Sequence, residues 1–536
     1  MEYCCHLWSG APQYQLDPFD RVQRRAARIV GDSVLCERLD HLALRRDVAS
    51  LCVFYRIYHG EDVLPSVQPG DIIKKLPKDA PEQPEPWQQI FQDYKDVVIP
   101  GITNWHSPQF HAYYPTGTSF ASIIGGLLSD GIGIMGFTWI ASPVCTELEV
   151  VSMDWLAKLL GLPEEFLNSH SGPGGGVLQG SASEAILVGL LAAKDKMIRR
   201  LKKQDPDLDE DLAKIKFVAY TSDHCNSAVE KAGVLGSMKM RLLKSDINGR
   251  LRGETVKKAM EEDKVQGLIP CYVVCNLGTT GVCSFDAMDE IGPICRENNV
   301  WLHVDAAYAG SALICPEYRH LLNGIEYVDS FDVNAHKWFL VNFDCSAMWV
   351  RDSYDLINAF DVQRIYLEDV DSEIKIPDYR HWQMPLGRRF RALKLWIVMK
   401  SYGAEGIRSY IRRQISLAQY FAKLMKADDR FIIEPEPSMG LVCFRLVQGD
   451  ELTKKLIENI TKKKKLFMVR GSFRNRYIIR FVICSQFTNN EDIEFSWNTI
   501  KNEANTLIEN DVVHLKSQAI TTIHGIENIC VTEKSK

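Results

Sequence analysis

A chain of 536 residues and 60.9 kDa, 46% of them hydrophobic, can fill the cores of two or three domains. Its 63 Lys+Arg against 69 Asp+Glu leave a net charge of -6, which offers no global attraction for nucleic acid or an anionic membrane, so small molecules are the expected partners. The 15 cysteines are scattered, odd in number and set in apolar runs such as Cys271-Tyr272-Val273-Val274-Cys275; with no apolar run of about 18 residues and no basic-then-apolar start, they read as reduced thiols of a cytosolic protein.

Residues 1–61 form a leader with an arginine-rich amphipathic stretch, Asp20 to Val30, and a second helical run, Leu44 to Tyr58. Periodicity alone makes these solvated surface helices. Pro65, Pro69, Pro77, Pro81, Pro84 and Pro86 then predict an extended, irregular linker over residues 64–87. From Ile99 onward the pattern is α/β. Apolar β runs at Phe217 to Tyr220, Leu268 to Cys275, Val300 to Val304 and Ser346 to Val350 are separated by helical stretches such as Thr255 to Lys264. Strands alternating with helices predict a largely parallel sheet covered on both faces, whose functional groups gather at the strand C-terminal ends.

Residues 172–184 place glycine-rich backbone before Ser181-Ala182-Ser183 and a helix-forming run from Glu184. Free N–H groups at a helix start, with serine hydroxyls beside them, bind phosphate; a flexible turn ending in a serine N-cap explains the same residues. Two charged residues give that run its value. Asp305, in His303-Val304-Asp305-Ala306-Ala307, follows one predicted strand, and Lys337, in Asn334-Ala335-His336-Lys337, follows another. A lysine amine can form a Schiff base with the aldehyde of pyridoxal 5'-phosphate (PLP), and an aspartate can keep the pyridine nitrogen protonated so that the ring accepts a carbanion's electrons. Separately, Lys337 has a surface-lysine reading and Asp305 a helix N-cap reading.

From about Leu64 to about Ile508 the chain resembles the group II PLP-dependent aromatic L-amino acid decarboxylases. The resemblance rests on Phe110 to Thr116, Ala141 to Glu149, Gln179 to Glu184, Asn342 to Trp349 and Asp378 to Gln383. It implies a fold-type I homodimer with a mixed, mostly parallel sheet in a large domain and a smaller C-terminal α+β domain. The implied boundaries are 62–119 for an N-terminal family segment, 120–394 for the PLP-binding domain, 395–514 for the small domain and 515–536 for a tail. The same resemblance makes Lys337 the covalent cofactor residue, Asp305 the pyridinium partner and Ala307 a packing contact beneath the ring. Ser181, Ala182, Ser183, Asn334 and His336 would bind the phosphate or its surroundings. Thr116 would line the substrate pocket, and Tyr366, on a mobile loop from Arg364 to Glu373, would protonate the carbanion after CO2 leaves. No metal is expected.

One residue departs from the family. In Tyr220 to Gly233, Asn226 stands where ordinary decarboxylases carry a histidine that stacks on the cofactor ring. An imidazole moves a proton near pH 7, whereas an amide titrates nowhere in that range. Weakened protonation leaves the carbanion longer for dioxygen, which diverts the product from amine to aldehyde, ammonia and hydrogen peroxide. The insect aromatic acetaldehyde synthases carry asparagine at this position, and the chain resembles them; L-dopa is the substrate that resemblance favours. The other reading keeps Asn226 as a tolerated variant in a plain decarboxylase making dopamine or a related amine.

The leader has a separate resemblance. Tyr3 to Pro12 and Leu39 to Val48 are similar to the C-terminal end of a jockey-type retrotransposon reverse transcriptase, without its paired catalytic aspartates. This implies a transposon fragment fused to the gene or an error at the start of the gene model. The family's own N-terminal helices would then be replaced, with Leu44 to Tyr58 as a crude substitute at the dimer seam. A nucleic-acid-binding or inactive fusion protein is the reading from a different class; the net charge and the intact Lys337 and Asp305 argue against it.

Overall fold

The computed structural model describes residues 62–361 and 376–533, with 512–533 as backbone only. The leader and Tyr366 therefore lie outside the described residues. The chain divides into two compact units, one spanning Tyr114–Gln414 and the other joining residues 62–113 to those from Ile415 onward.

The first unit is built on seven strands: β1 (Gly175–Gln179), β2 (Phe217–Ser222), β3 (Lys239–Leu243), β4 (Ile269–Asn276), β5 (Trp301–Asp305), β6 (Ser330–Val333) and β7 (Ser346–Val350). They lie in the order β1-β7-β6-β5-β4-β2-β3. Only β7 runs against its neighbours, pairing antiparallel with both β1 and β6; the remaining pairings are parallel. The sheet is thus mixed and mostly parallel. Its central strands carry unbroken apolar runs because both faces are covered: every residue of β2, β5, β6 and β7 is buried. Each fully buried valine, leucine or phenylalanine there contributes about 1.5–3 kcal/mol.

Helix Ala182–Gln204 covers one face. It begins where Ser181 accepts a hydrogen bond from the Glu184 N–H and Glu184 reaches back to the Gly180 N–H at 2.7 Å, a capping arrangement that fixes the first turn. Its inward residues Ile186, Leu190, Ala193 and Met197 join the core formed with Phe217, Tyr272 and Trp301.

In the second unit, β8 (Phe431–Ile433), β9 (Leu441–Leu446), β10 (Val469–Phe473) and β11 (Arg476–Val482) form an antiparallel sheet in the order β10-β11-β9-β8. Phe421 stacks on Phe481 at 3.8 Å, and Trp497 meets Phe431 at 5.2 Å. His111, from the N-terminal segment, is fully buried against this sheet: its Nδ1 lies 2.9 Å from the Val482 carbonyl, and its ring stacks on Phe481.

The structure corrects three local expectations. Residues 64–87 are not irregular throughout, since Asp71–Lys75 is a short helix entered through Gly70 at φ 93°, a left-handed conformation suited to glycine. Gly175 and Gly176 belong to β1 rather than to a loop; a Cβ on Gly176 would sit 2.6 Å from Trp349 and Met153, so glycine permits close packing there. The strand β6 was not foreseen, and its polar residues find their partners inside the sheet. Ten cysteines among the described residues are free thiols.

Candidate active site

The C-terminal ends of β5 and β6 lie side by side, so the residues that leave them meet. Asp305 closes β5, and its Oδ1 accepts the Ala307 N–H at 3.0 Å. Asn334 follows β6; its backbone N–H donates to the Ala307 carbonyl at 3.1 Å, and its Oδ1 accepts the Ala182 N–H at 3.0 Å. One asparagine therefore ties the end of β6 to the start of the Ala182–Gln204 helix. Lys337 sits on the single turn Ala335–Trp338, with its Nζ 5.8 Å from the Tyr114 ring centroid. Tyr114 stacks on Tyr308 at 4.0 Å, Tyr308 on Trp338 at 4.7 Å, and the Tyr114 hydroxyl donates to the Thr279 carbonyl at 2.9 Å.

Tyr114, Asp305, Tyr308, Asn334 and Lys337 border a cavity of ≈ 150 Å³. It brings together Ser181, Ala182, Ser183, Asn226, Asp305, Ala307, Asn334 and Lys337 among the residues expected from sequence. Thr116 and His336 do not border it. Thr116 is half-buried, next to Gly117, whose N–H donates to the His336 carbonyl at 2.5 Å. The buried His336 ring accepts the Cys345 N–H on Nδ1 at 2.9 Å, so it braces the turn carrying Lys337 from behind. Burial, with Lys337 adjacent, pushes its pKa down to about 4.

Asn226 is held at both ends of its amide. It is the N-cap of helix Ser227–Leu235, its Oδ1 accepting the Ala228 N–H at 2.9 Å, while its Nδ2 donates to Thr280 Oγ1 at 2.9 Å. The amide can serve as a fixed wall of the cavity but not as a proton carrier. At Lys337, burial depresses the amine pKa, and the Asp305 carboxylate nearby opposes that shift in part. A depressed pKa leaves more neutral amine to attack a carbonyl.

Sequence reasoning did not single out Tyr114, Asn276, Gly278, Thr280 or Tyr308, which also line the cavity. Asn276 ends β4, and Gly278 and Thr280 follow it, so the rule that active groups gather at strand C-terminal ends was the available signal. Among the described residues no group of three or more His, Cys, Asp or Glu side chains is placed to hold a metal.

An amine, a carboxylate, serine hydroxyls and the N-terminus of a long helix converge on one aromatic-walled cavity. That donor set, at the C-terminal edge of a mostly parallel sheet, fits a phosphate-bearing aldehyde with a basic ring nitrogen such as PLP. The chain belongs to the pyridoxal-dependent decarboxylases: residues 69–447 match the pyridoxal-dependent decarboxylase conserved domain. It is 52% identical over 445 residues to the aromatic-L-amino-acid decarboxylase of Drosophila melanogaster, a match covering 83% of this chain and 87% of that protein. It is 50% identical over 448 residues to the 3,4-dihydroxyphenylacetaldehyde synthase of Aedes aegypti, covering 83% and 86%. The crystal structure of Oryza sativa TDC with PLP and tryptamine matches with a TM-score of 0.83 at 33% identity, covering 89% of this chain and 99% of that one.

Proposed function

We propose that this enzyme converts an aromatic L-amino acid, L-dopa above others, to the aromatic acetaldehyde by decarboxylation with oxidative deamination. The reaction consumes one dioxygen and one water and releases CO2, ammonia and hydrogen peroxide, so that dioxygen takes the two electrons that would otherwise remain in the amine's C–H bond. The observation that carries this reading is Asn226: an amide pinned by the Ala228 N–H and the Thr280 hydroxyl stands where the family resemblance implies an imidazole.

Bound PLP supplies the electron sink for the carbanion left when CO2 departs. Lys337 would hold the cofactor covalently through its amine, and Asp305 would keep the ring nitrogen protonated. Ser181, Ala182 and Ser183, at the start of a helix, would take the phosphate, with Asn334 fixing that helix start to β6 and His336 bracing the turn of Lys337. Ala307, on the cavity lining, would pack beneath the ring, and Thr116, outside that lining, would contact the substrate as the family resemblance implies. Tyr366 delivers the proton in the amine-forming branch, and Asn226, without a titrating group, leaves that branch slower.

The working form is a homodimer. In the first unit, Leu127, Leu128 and Ile132 of helix Phe120–Ile132, together with Met135, Ile140 and Val144, are exposed, Ile140 to 62%. Large apolar residues exposed along one stretch of chain favour burial against another protein. No helix among the described residues is long and apolar enough to cross a membrane, and a cytosolic location accords with the free thiols.

Identity to relatives does not choose between products, because the amine-forming and aldehyde-forming insect enzymes match almost equally. Purified holoenzyme given L-dopa in air, with amine, aldehyde and peroxide measured together, tests the reading. Aldehyde and peroxide in equal amounts are expected; dopamine without peroxide makes the chain a conventional decarboxylase.

A further inference from the structure

Beneath Lys337, outside the cavity lining, lies a polar cluster that the proposed chemistry does not use. Asp332, in β6, is fully buried; its Oδ1 is 3.0 Å from His303 Nε2, and its Oδ2 has no hydrogen-bond partner among the described residues. His303, in β5, is also fully buried, with its Nδ1 2.8 Å from Ser330 Oγ, and Ser330 Oγ accepts the Trp301 indole N–H at 2.8 Å. The Ala182–Gln204 helix closes the cluster from above. A Cβ on its Gly189 would come within 3.0 Å of the Tyr272 hydroxyl, 3.4 Å of Ser330 Oγ and 3.5 Å of His303 Nδ1.

Hydrogen bonding admits an arrangement in which Asp332 and His303 are both neutral. An indole only donates, and a hydroxyl oxygen can accept twice. Ser330 Oγ can therefore accept from both Trp301 and a His303 Nδ1–H, which leaves Nε2 as an acceptor facing Asp332. An ionised Asp332 would bury a charge with one oxygen unpaired, close to the second carboxylate Asp305, with Lys337 as the nearby cation. The ionisable groups that bear on it are His303 and Asp305 on β5, Tyr272 on β4 and Lys337 on the turn after β6. Burial pushes the Asp332 carboxyl well above its usual range and holds His303 at about 4, both toward the neutral forms.

We propose that Asp332 is a neutral carboxylic acid whose proton is donated to His303 Nε2. It is thereby a positioning residue that locks β6 to β5 beneath Lys337 and leaves Asp305 to supply the negative charge at the cavity. The Trp301–Ser330–His303–Asp332 chain sets the relative placement of the two strands that deliver Asp305 and Lys337. With Asp332 neutral, its share of the charge that would raise the Lys337 pKa is absent, and the amine stays more readily deprotonated.

Infrared difference spectroscopy of the apoprotein, with carboxyl-labelled aspartate, tests this directly. A carbonyl band of a protonated carboxylic acid should be present at neutral pH, shift on His303→Gln and vanish in Asp332→Asn. An amide donates to His303 as the acid does, so the pH dependence of Lys337 labelling in the apoprotein, read by mass spectrometry, should change by less than about twofold in rate at fixed pH in Asp332→Asn. Absence of the band overturns the proposal without any variant having to fold. So does a change in Lys337 labelling of about tenfold or more in Asp332→Asn, the size expected for removal of a charge that shifts the amine by one pKa unit.

Discussion

Replacing Asn226 separates its role as a helix cap from the proton-withholding role proposed for it. Asn226→Ala removes both the bond accepted from the Ala228 N–H and the one donated to Thr280. Loss of the cap costs about 1 kcal/mol and loss of the side-chain bond about 1 kcal/mol. At roughly 2 °C per kcal/mol for a unit of this size, the melting temperature should fall by about 4 °C. Asn226→His retains a possible cap acceptor at Nδ1, so about half that loss is expected. The chemical effect is larger. A positioned acid accelerates proton transfer by about 10²–10⁴-fold, and each tenfold of partition corresponds to about 1.36 kcal/mol of barrier. Asn226→His should therefore raise the amine-to-aldehyde ratio at least about tenfold, with dioxygen uptake falling as amine rises. Chromatography of both products alongside an oxygen electrode reads the ratio. If Asn226→His loses stability as calculated but keeps the wild-type ratio, the residue is only a cap and the reasoning fails.

Three further outcomes follow from the geometry. Lys337→Ala should abolish the visible absorbance of covalently held cofactor and essentially all turnover, whereas Asp305→Ala should retain part of the cofactor with little turnover; normal kcat in either purified variant would place the site elsewhere. Gly117→Ala puts a Cβ 2.4 Å from the Val341 carbonyl and 3.1 Å from that of His336, so the turn bearing Lys337 must shift, at a cost of about 1–3 kcal/mol, and cofactor affinity measured by absorbance titration should drop. His111 and His303 are kept neutral by burial, their pKa values pushed down from 6.5 to about 3 and about 4. Below pH 6.5 the unfolded chain binds more protons than the folded one, so the stability each contributes is complete above pH 6.5 and falls by about 1.4 kcal/mol per pH unit as the pH drops toward 4. Scanning calorimetry should show that fall, and His111→Gln should flatten the slope for the second unit.

The strands most legible in sequence are those whose two faces are both covered. The apolar run Ser346 to Val350 coincides with β7, and Val300 to Val304 differs from β5 by one residue at each end. What composition could not carry was direction: β7 runs antiparallel to both neighbours, a property of the connections rather than of the run itself. β6 escaped because Ser330 and Asp332 break its apolar pattern, and their partners, His303 and Trp301, come from another strand. β1 escaped because glycines that usually mark a turn here make room for Trp349 and Met153. At the site, residues carrying a distinctive chemical group, Lys337 and Asp305, stood out. Tyr114 lines the cavity through a backbone path that no local spacing announces.

The central claim is that dioxygen, not a proton, receives the carbanion's electrons, and it is tested most directly by the stoichiometry of one reaction. Purified wild-type holoenzyme is given L-dopa in a sealed, air-saturated cell, with dioxygen consumed and CO2 released followed together. The account predicts one dioxygen consumed for each CO2 released, with peroxide accumulating in step. CO2 release without dioxygen uptake, yielding dopamine, contradicts it.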